Sequence, residues 1–422
     1  MFHVCYAPVT TEDGQPTNHF TRFLFYSHDG LGLGHTRRHL AVAGALTQLS
    51  PDASVLLVTG ADDISRLGLP PRVEFLKLPG LRKVANGRYL SRYLQMPVSE
   101  IRALRAELLL TTVKTFRPGV VLVDKHPFGA SGEFKASLLA LREFGGRAAL
   151  GLRDILDEPA RVLAEWQPYD VQRRIAEFYD LVLVYGDRSV FDPTTAYRFP
   201  RAAAERTRFC GHVVTRESDE ALADFKWPFL PREERTCPVV LATAGGGEDG
   251  FRLLETFIRA AAEAPWQGVV ITGPMTPASE LTTLERCATE GGVALRHFVP
   301  HLSALFDSVD ALVCMGGYNT LAEAVSQGVP AICVPRVTPR TEQLIRAAAF
   351  EKLGLLSLIQ PDQLTVEHLR RQVEAALAVS RDKLRQTAQT VVNFDGARRA
   401  ARHLLDLAAS SGSEVSLEEY AI

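Results

Sequence analysis

The sequence predicts an α/β protein of two Rossmann-like parallel-sheet domains facing each other across a cleft, and three observations carry that expectation. The chain makes one kind of turn twice: a buried strand runs into glycines and a helix start near Gly30 to His35, and again near Gly316 to Thr320. Apolar strand-like runs alternate with helical patterns almost throughout, as in parallel sheets covered by helices on both faces. At 422 residues the chain is too long for one ordinary core and fits two domains of about 200 residues each.

Taken in order, residues 1–21 form an N-terminal extension. It is polar and lacks the charged segment followed by an apolar one that marks a secretion signal. Residues 22–212 form the first domain, with strands expected at Phe23 to Ser27, Ser54 to Val58, Glu74 to Leu78, Val120 to Val123, Ala148 to Leu152, Leu181 to Val184 and Arg208 to Gly211. Residues 213–237 change character, being charged and carrying Trp227-Pro228 and Leu230-Pro231, and read as a linker. The second domain, 238–395, offers strands at Val239 to Thr243, Val269 to Thr272, Ala294 to Phe298, Ala311 to Met315 and Ala331 to Pro335. Residues 396–422 are a closing helix and tail, the helix expected to pack back across the linker. No stretch approaches the roughly 18 uninterrupted apolar residues of a membrane span.

A formal net charge of −2 gives no reason to expect a nucleic-acid partner. The six cysteines, Cys5, Cys210, Cys237, Cys287, Cys314 and Cys333, are scattered, mostly in apolar runs, and form no C-x-x-C pair. They read as reduced thiols of a cytoplasmic protein.

Chemistry is expected at the carboxyl ends of the strands, where open parallel sheets bind ligands. After the first strand, Asp29 to His35 reads D-G-L-G-L-G-H. Gly32 and Gly34 let a ligand approach the backbone, and a helix N-terminus favours an anion. The unusual residue is His35. An imidazole beside the positive end of a helix stays partly neutral and can accept a proton from a hydroxyl or water, and Arg38 follows one turn on. A second stretch, Val123-Asp124-Lys125-His126-Pro127-Phe128-Gly129, places Asp124 and His126 at another strand end. In the second half, Gly245, Gly246 and Gly247 follow the first strand directly, and Phe298 lies in a loop suited to a planar base. The densest stretch is Met315 to Gly354. There Gly316, Gly317, Asn319 and Thr320 open a helix carrying Glu323, and Arg340, Glu342 and Gln343 open another. Such a set supplies N–H groups and hydroxyls for a diphosphate, a carboxylate for ribose hydroxyls and a polar pair for sugar hydroxyls.

This order resembles the nucleotide-sugar signature of GT-B glycosyltransferases, and more narrowly the family of the N-acetylglucosaminyltransferase that completes the lipid-linked peptidoglycan precursor. The likeness covers most of residues 22 to 395 and is strongest over Met315 to Gly354. It implies that the loop Gly32 to His35 serves the acceptor, and that a nucleotide sugar lies between Gly245 to Gly247 and the helix Asn319 to Gln327. By the same resemblance Glu323 holds the ribose, and Glu342 with Gln343 the sugar hydroxyls. Two departures stand out. Gly247-Glu248-Asp249 replaces a loop that in the family usually carries serine and glutamine, and Glu342 stands where the family has the first of two glutamines, which opens the identity of the donor sugar.

The expected reaction is a metal-independent, inverting transfer from a nucleoside-diphosphate sugar to a hydroxyl acceptor, with no cofactor. Two helix N-termini meet the charge that builds on the leaving phosphate, and His35, or Asp124 through His126, takes the proton. The alternative is a nucleotide-sugar hydrolase, which shares the fold and a segment like Gly32 to Arg38 and uses water as acceptor. A nonhydrolysing epimerase and a non-catalytic nucleotide-sugar sensor are further readings. Leu81 to Tyr93 mixes cations with aromatics and, with Leu104 to Leu110, reads either as a solvated loop and a core helix or as a surface for anionic headgroups or a lipid-linked acceptor at the inner face of the membrane.

Overall fold

The structure is a computed structural model, which describes residues 22–27, 34–61, 64, 68–83, 89–215, 234–299 and 302–412. The expected N-terminal extension, Gly30 and Gly32 of the first turn, most of the linker and the C-terminal tail lie outside the described residues.

The first sheet has seven strands in the order β3-β2-β1-β6-β7-β8-β9, all neighbours parallel. They are β1 (Arg22–Ser27), β2 (Ser54–Thr59), β3 (Val73–Lys77), β6 (Val120–Asp124), β7 (Arg147–Arg153), β8 (Leu181–Tyr185) and β9 (Thr207–Phe209), with an antiparallel hairpin of β4 (Leu81–Lys83) and β5 (Tyr89–Ser91) apart from the sheet. The second sheet has six strands, β12-β11-β10-β13-β14-β15. These are β10 (Val239–Thr243), β11 (Gln267–Ile271), β12 (Ala294–Arg296), β13 (Ala311–Cys314), β14 (Ala331–Cys333) and β15 (Ser357–Leu358). Every residue of β6, β8 and β10 is buried. Their unbroken apolar runs therefore mean sheets covered on both faces, with separate core layers above and below each sheet.

Strand order reverses between β1 and β6 in the first sheet and between β10 and β13 in the second. At such switch points the flanking loops diverge to opposite faces and leave a crevice at the carboxyl ends. The segments carrying His35, Asp124, Gly245 to Gly247 and Gly316-Gly317 are the four that follow the strands flanking the two crevices.

Several boundaries differ from the sequence reading. The first helix begins at Gly34 and the helix after the second glycine turn at Tyr318, both within the expected turns, while the helix after Gly245 to Gly247 begins only at Phe251. The cationic and aromatic stretch from Leu81 is the β4–β5 hairpin packed on the helix Val98–Phe116. That helix stops at Arg117, which turns left-handed at φ 48° and returns its N–H to the carbonyl of Val113 just before Pro118. Cys237 is exposed, unlike the buried Cys210, Cys314 and Cys333.

The closing helix, Gly396–Gly412, packs on the first domain beside the helix Gly34–Leu49, with Ala400, Ala401 and Leu404 in that core. Its start is held by a bridge between Val213 and Asp395 and by the Gly396 N–H to the His212 carbonyl at 3.1 Å.

Candidate active site

The first switch point brings His35 and Asp124 together. Asp124 ends β6 and is completely buried, and its Oδ2 meets His35 Nδ1. Arg38, one turn along the same helix, lies 2.9 Å from His35 Nδ1 and 3.4 Å from Asp124 Oδ1. Burial alone would raise the Asp124 carboxyl, but the charges of His35 and Arg38 beside it hold it well below the usual carboxylate range. The ion is thus fixed where it can orient an imidazole. His39, on the same helix, is fully buried and lies 3.9 Å from Asp124. Burial outweighs the pull of that carboxylate and pushes its pKa down to about 4, so it is neutral at pH 7. His35 by contrast keeps a fifth of its side chain exposed. His126 sits in the turn after β6, where its backbone N–H bonds to the Asp124 carbonyl at 2.7 Å, and the His35 imidazole lies on the Asp124 carboxylate.

The helices that follow the two glycine turns start close to each other. A Cβ on Gly34 would stand 3.4 Å from Asn319 Nδ2, so the two helix starts meet across the cleft. Tyr318 reaches from the second domain into the core of the first. Its hydroxyl accepts the Val213 N–H at 2.9 Å, and its ring lies 5.4 Å from the Arg38 guanidinium, which also lies 5.0 Å from Tyr185. None of this junction was legible in the sequence, because Tyr318 reads as one more turn residue.

In the second domain, Gly317 opens the helix Tyr318–Ser326 at φ −59°, and no described residue lies within 4 Å of where its Cβ would be. The backbone there is open to a ligand. Gly316 is at φ 82°, against Cys333 and Gln343. Glu323 is buried on the same helix. The triple glycine has a different neighbour. A Cβ on Gly246 would meet Met275, one on Gly247 would stand 2.3 Å from Thr276 Oγ1, and Gly246 accepts the Met275 N–H at 2.8 Å. Two of the three glycines therefore let the loops after β10 and β11 pack together, while no described residue lies within 4 Å of a Cβ on Gly245. Phe298 stands half exposed beyond β12.

Glu342 is almost fully buried at the start of the helix Glu342–Lys352. Its Oε1 takes a bond from Arg336 Nη2 at 2.8 Å, while Oε2 is buried with no hydrogen-bond partner among the described residues. Gln343 Oε1 accepts the Arg336 backbone N–H at 3.0 Å. Arg340 is turned to the first domain, where it bonds Asp157 at 3.1 Å and Glu165 at 3.0 Å. Asp157 also accepts the Thr341 N–H at 2.9 Å and so caps that helix from the opposite domain. Deeper in the cleft, Arg346 grips Asp154 with two bonds of 2.6 and 2.7 Å and gives a third to the Gly316 carbonyl at 2.9 Å. Sequence reasoning missed Arg336, Asp154, Asp157 and Arg346, since no motif marks a residue whose partner lies in another domain.

Two parallel-sheet domains with switch points opposed across a cleft are the architecture of the GT-B glycosyltransferases, and the chain is a glycosyltransferase of that fold. Residues 246–404 match the glycosyltransferase family 28 C-terminal domain. An uncharacterized glycosyltransferase of Methanosarcina mazei is 25% identical over 405 residues, covering 92% of this chain and 98% of that protein. The UDP-N-acetylglucosamine–N-acetylmuramyl-(pentapeptide) pyrophosphoryl-undecaprenol N-acetylglucosamine transferase of Glaesserella parasuis is 24% identical over 335 residues, 78% of this chain and 81% of that protein. Among solved structures, the glycosyltransferase SnogD from Streptomyces nogalater superposes with a TM-score of 0.57 at 19% identity, over 94% of this chain and 99% of that one.

Proposed function

We propose that the protein moves a sugar from a nucleoside-diphosphate sugar to a hydroxyl acceptor in a single, inverting displacement that needs no bound metal. The observation that carries this reading is the His35–Asp124 pair, set at one switch point beside Gly34, which lies against Asn319 at the start of the helix Tyr318–Ser326 at the other. With Nδ1 turned to the Asp124 carboxylate, His35 Nε2 is the atom that takes the acceptor proton, and Asp124 stabilises the imidazolium that forms. The acceptor oxygen bonds to the anomeric carbon as the bond from that carbon to the phosphate oxygen breaks, and the nucleoside diphosphate leaves with the electron pair. The N-terminus of the helix Tyr318–Ser326 meets that charge without reorganising. Glu323 is assigned to the ribose, Glu342 and Gln343 to the sugar hydroxyls, and Phe298 to the base.

The acceptor is assigned to the lipid-linked class. The Glaesserella parasuis relative is named for a pyrophosphoryl-undecaprenol acceptor. In this chain, Leu90, Tyr93 and Leu94 at the β4–β5 hairpin and Leu104 on the neighbouring helix are exposed, with the Arg92 guanidinium 5.1 Å from the Tyr93 ring. No described helix is long and apolar enough to cross a membrane, so this face is proposed to rest on anionic headgroups. Flotation with anionic but not neutral vesicles is expected, and equal flotation with both would remove the headgroup assignment.

The reaction is tested by product analysis over a panel of nucleotide sugars in the presence of EDTA, with and without a lipid extract. Glycosylated lipid formed only with the extract supports transfer. Free sugar and nucleotide at full turnover without any acceptor would make the enzyme a hydrolase, and activity abolished by EDTA would end the metal-independent reading.

A further inference from the structure

Arg336 follows β14, and Asp249 lies in the loop after β10. In the sheet β13 stands between those two strands. The bond between Arg336 Nη1 and Asp249 Oδ2, 3.0 Å long, therefore spans the width of β13 at its carboxyl end, where the Gly316-Gly317 turn opens the helix Tyr318–Ser326. The other arm of the guanidinium is held by Glu342 Oε1 at 2.8 Å, and the Arg336 backbone by Gln343. The two ends of this bridge are unequal. Glu342 is 5% exposed and fixed, whereas Asp249 is 44% exposed on a loop. An anion at the Gly317 turn, which ends the strand between the two, is attracted by the guanidinium and repelled by the Asp249 carboxylate.

Resting on the donor assignment above, we propose that Arg336 is a contact for the donor diphosphate, and that Asp249 occupies its outer arm until the nucleotide displaces it. Glu342 keeps the guanidinium aimed while the partner on the other arm is exchanged. A fork of N–H donors suits two phosphate oxygens as well as it suits a carboxylate. The site thereby gains a positive charge that moves with no side chain but Asp249.

Calorimetric titration of UDP, dTDP, GDP, ADP and CDP into the wild type, Arg336→Met and Asp249→Asn tests this, with the matching nucleoside as control. The expected result is a loss of about tenfold or more in diphosphate affinity for Arg336→Met, which is about 1.4 kcal/mol per tenfold, with the nucleoside affinity unchanged. Asp249→Asn, a change at a half-exposed loop position, is expected to bind the diphosphate several-fold more tightly, because the competing carboxylate is gone. Undiminished affinity in Arg336→Met, or weaker affinity in Asp249→Asn, would overturn the proposal while leaving the donor site standing. A wild type that binds none of the five diphosphates would overturn the donor assignment and this proposal with it.

Discussion

At the scale of single residues, burial separates two histidines that the sequence places four apart. His35 is partly exposed and reaches the Asp124 carboxylate, whereas His39 is sealed beneath it and packs 5.4 Å from the Phe25 ring. His39 has a consequence for stability. Its pKa is about 4 in the folded protein and about 6.5 in the unfolded chain, so the unfolded state binds the extra proton between those values. Its contribution is fully present above about pH 6.5 and is lost as pH falls through the folded value, an amount on the order of 3 kcal/mol at most. Thermal midpoints of the wild type are expected to fall steadily from pH 6.5 to 4.5, and those of His39→Gln to fall less. Parallel curves would contradict a buried neutral His39. Both His35 and Asp124 were legible as candidates, because each sits at a strand end. Their partnership was not, since it depends on β1 pairing with β6 across some ninety residues of chain.

At the scale of elements, apolar runs bounded by turns located the strands of both sheets except the two-residue β15, and the hairpin β4–β5 was hidden in a stretch that reads as loop. Glycines were the weakest guide to role, because the same residue leaves space at one turn and admits a neighbouring loop at another. Gly247 is at φ 99° with the Thr276 hydroxyl where a methyl would go, whereas Gly317 is at a φ any residue adopts and has space around it. Gly247→Ala is therefore expected to destabilise the fold by roughly 1–3 kcal/mol through the contact between the loops after β10 and β11. Gly317→Ala is expected to leave the thermal midpoint of the free protein unchanged or slightly higher, yet to weaken nucleoside-diphosphate binding by filling the open backbone. Melting curves of both variants, with and without saturating diphosphate, check this. A Gly317→Ala protein stabilised by ligand as much as the wild type would show that the turn does not meet the nucleotide.

At the scale of the molecule, the two domains are held as one cleft by polar contacts between residues 175 to 192 apart in sequence: Arg340 with Glu165 and Asp157, Thr341 with Asp157, and Arg346 with Asp154. The Asp154 carboxyl is held far below the usual carboxylate range, Arg346 overcoming the opposing effect of burial. Breaking such a pair leaves a buried charge and costs roughly 3–5 kcal/mol. Arg346 also bonds the Gly316 carbonyl, so the contact that joins the domains also holds the Gly316-Gly317 turn proposed for the donor. That coupling could not be read from one sequence, where an isolated aspartate and an isolated arginine carry no sign of each other. The division of labour across the cleft, with donor binding on the second domain and proton removal on the first, is tested most directly by one comparison: nucleotide-sugar affinity and single-turnover rate in His35→Gln and wild type. Affinity within about twofold of wild type with a rate lower by about 10² or more is the expected result. A variant that turns over at the wild-type rate, or one that loses the donor itself, would contradict it.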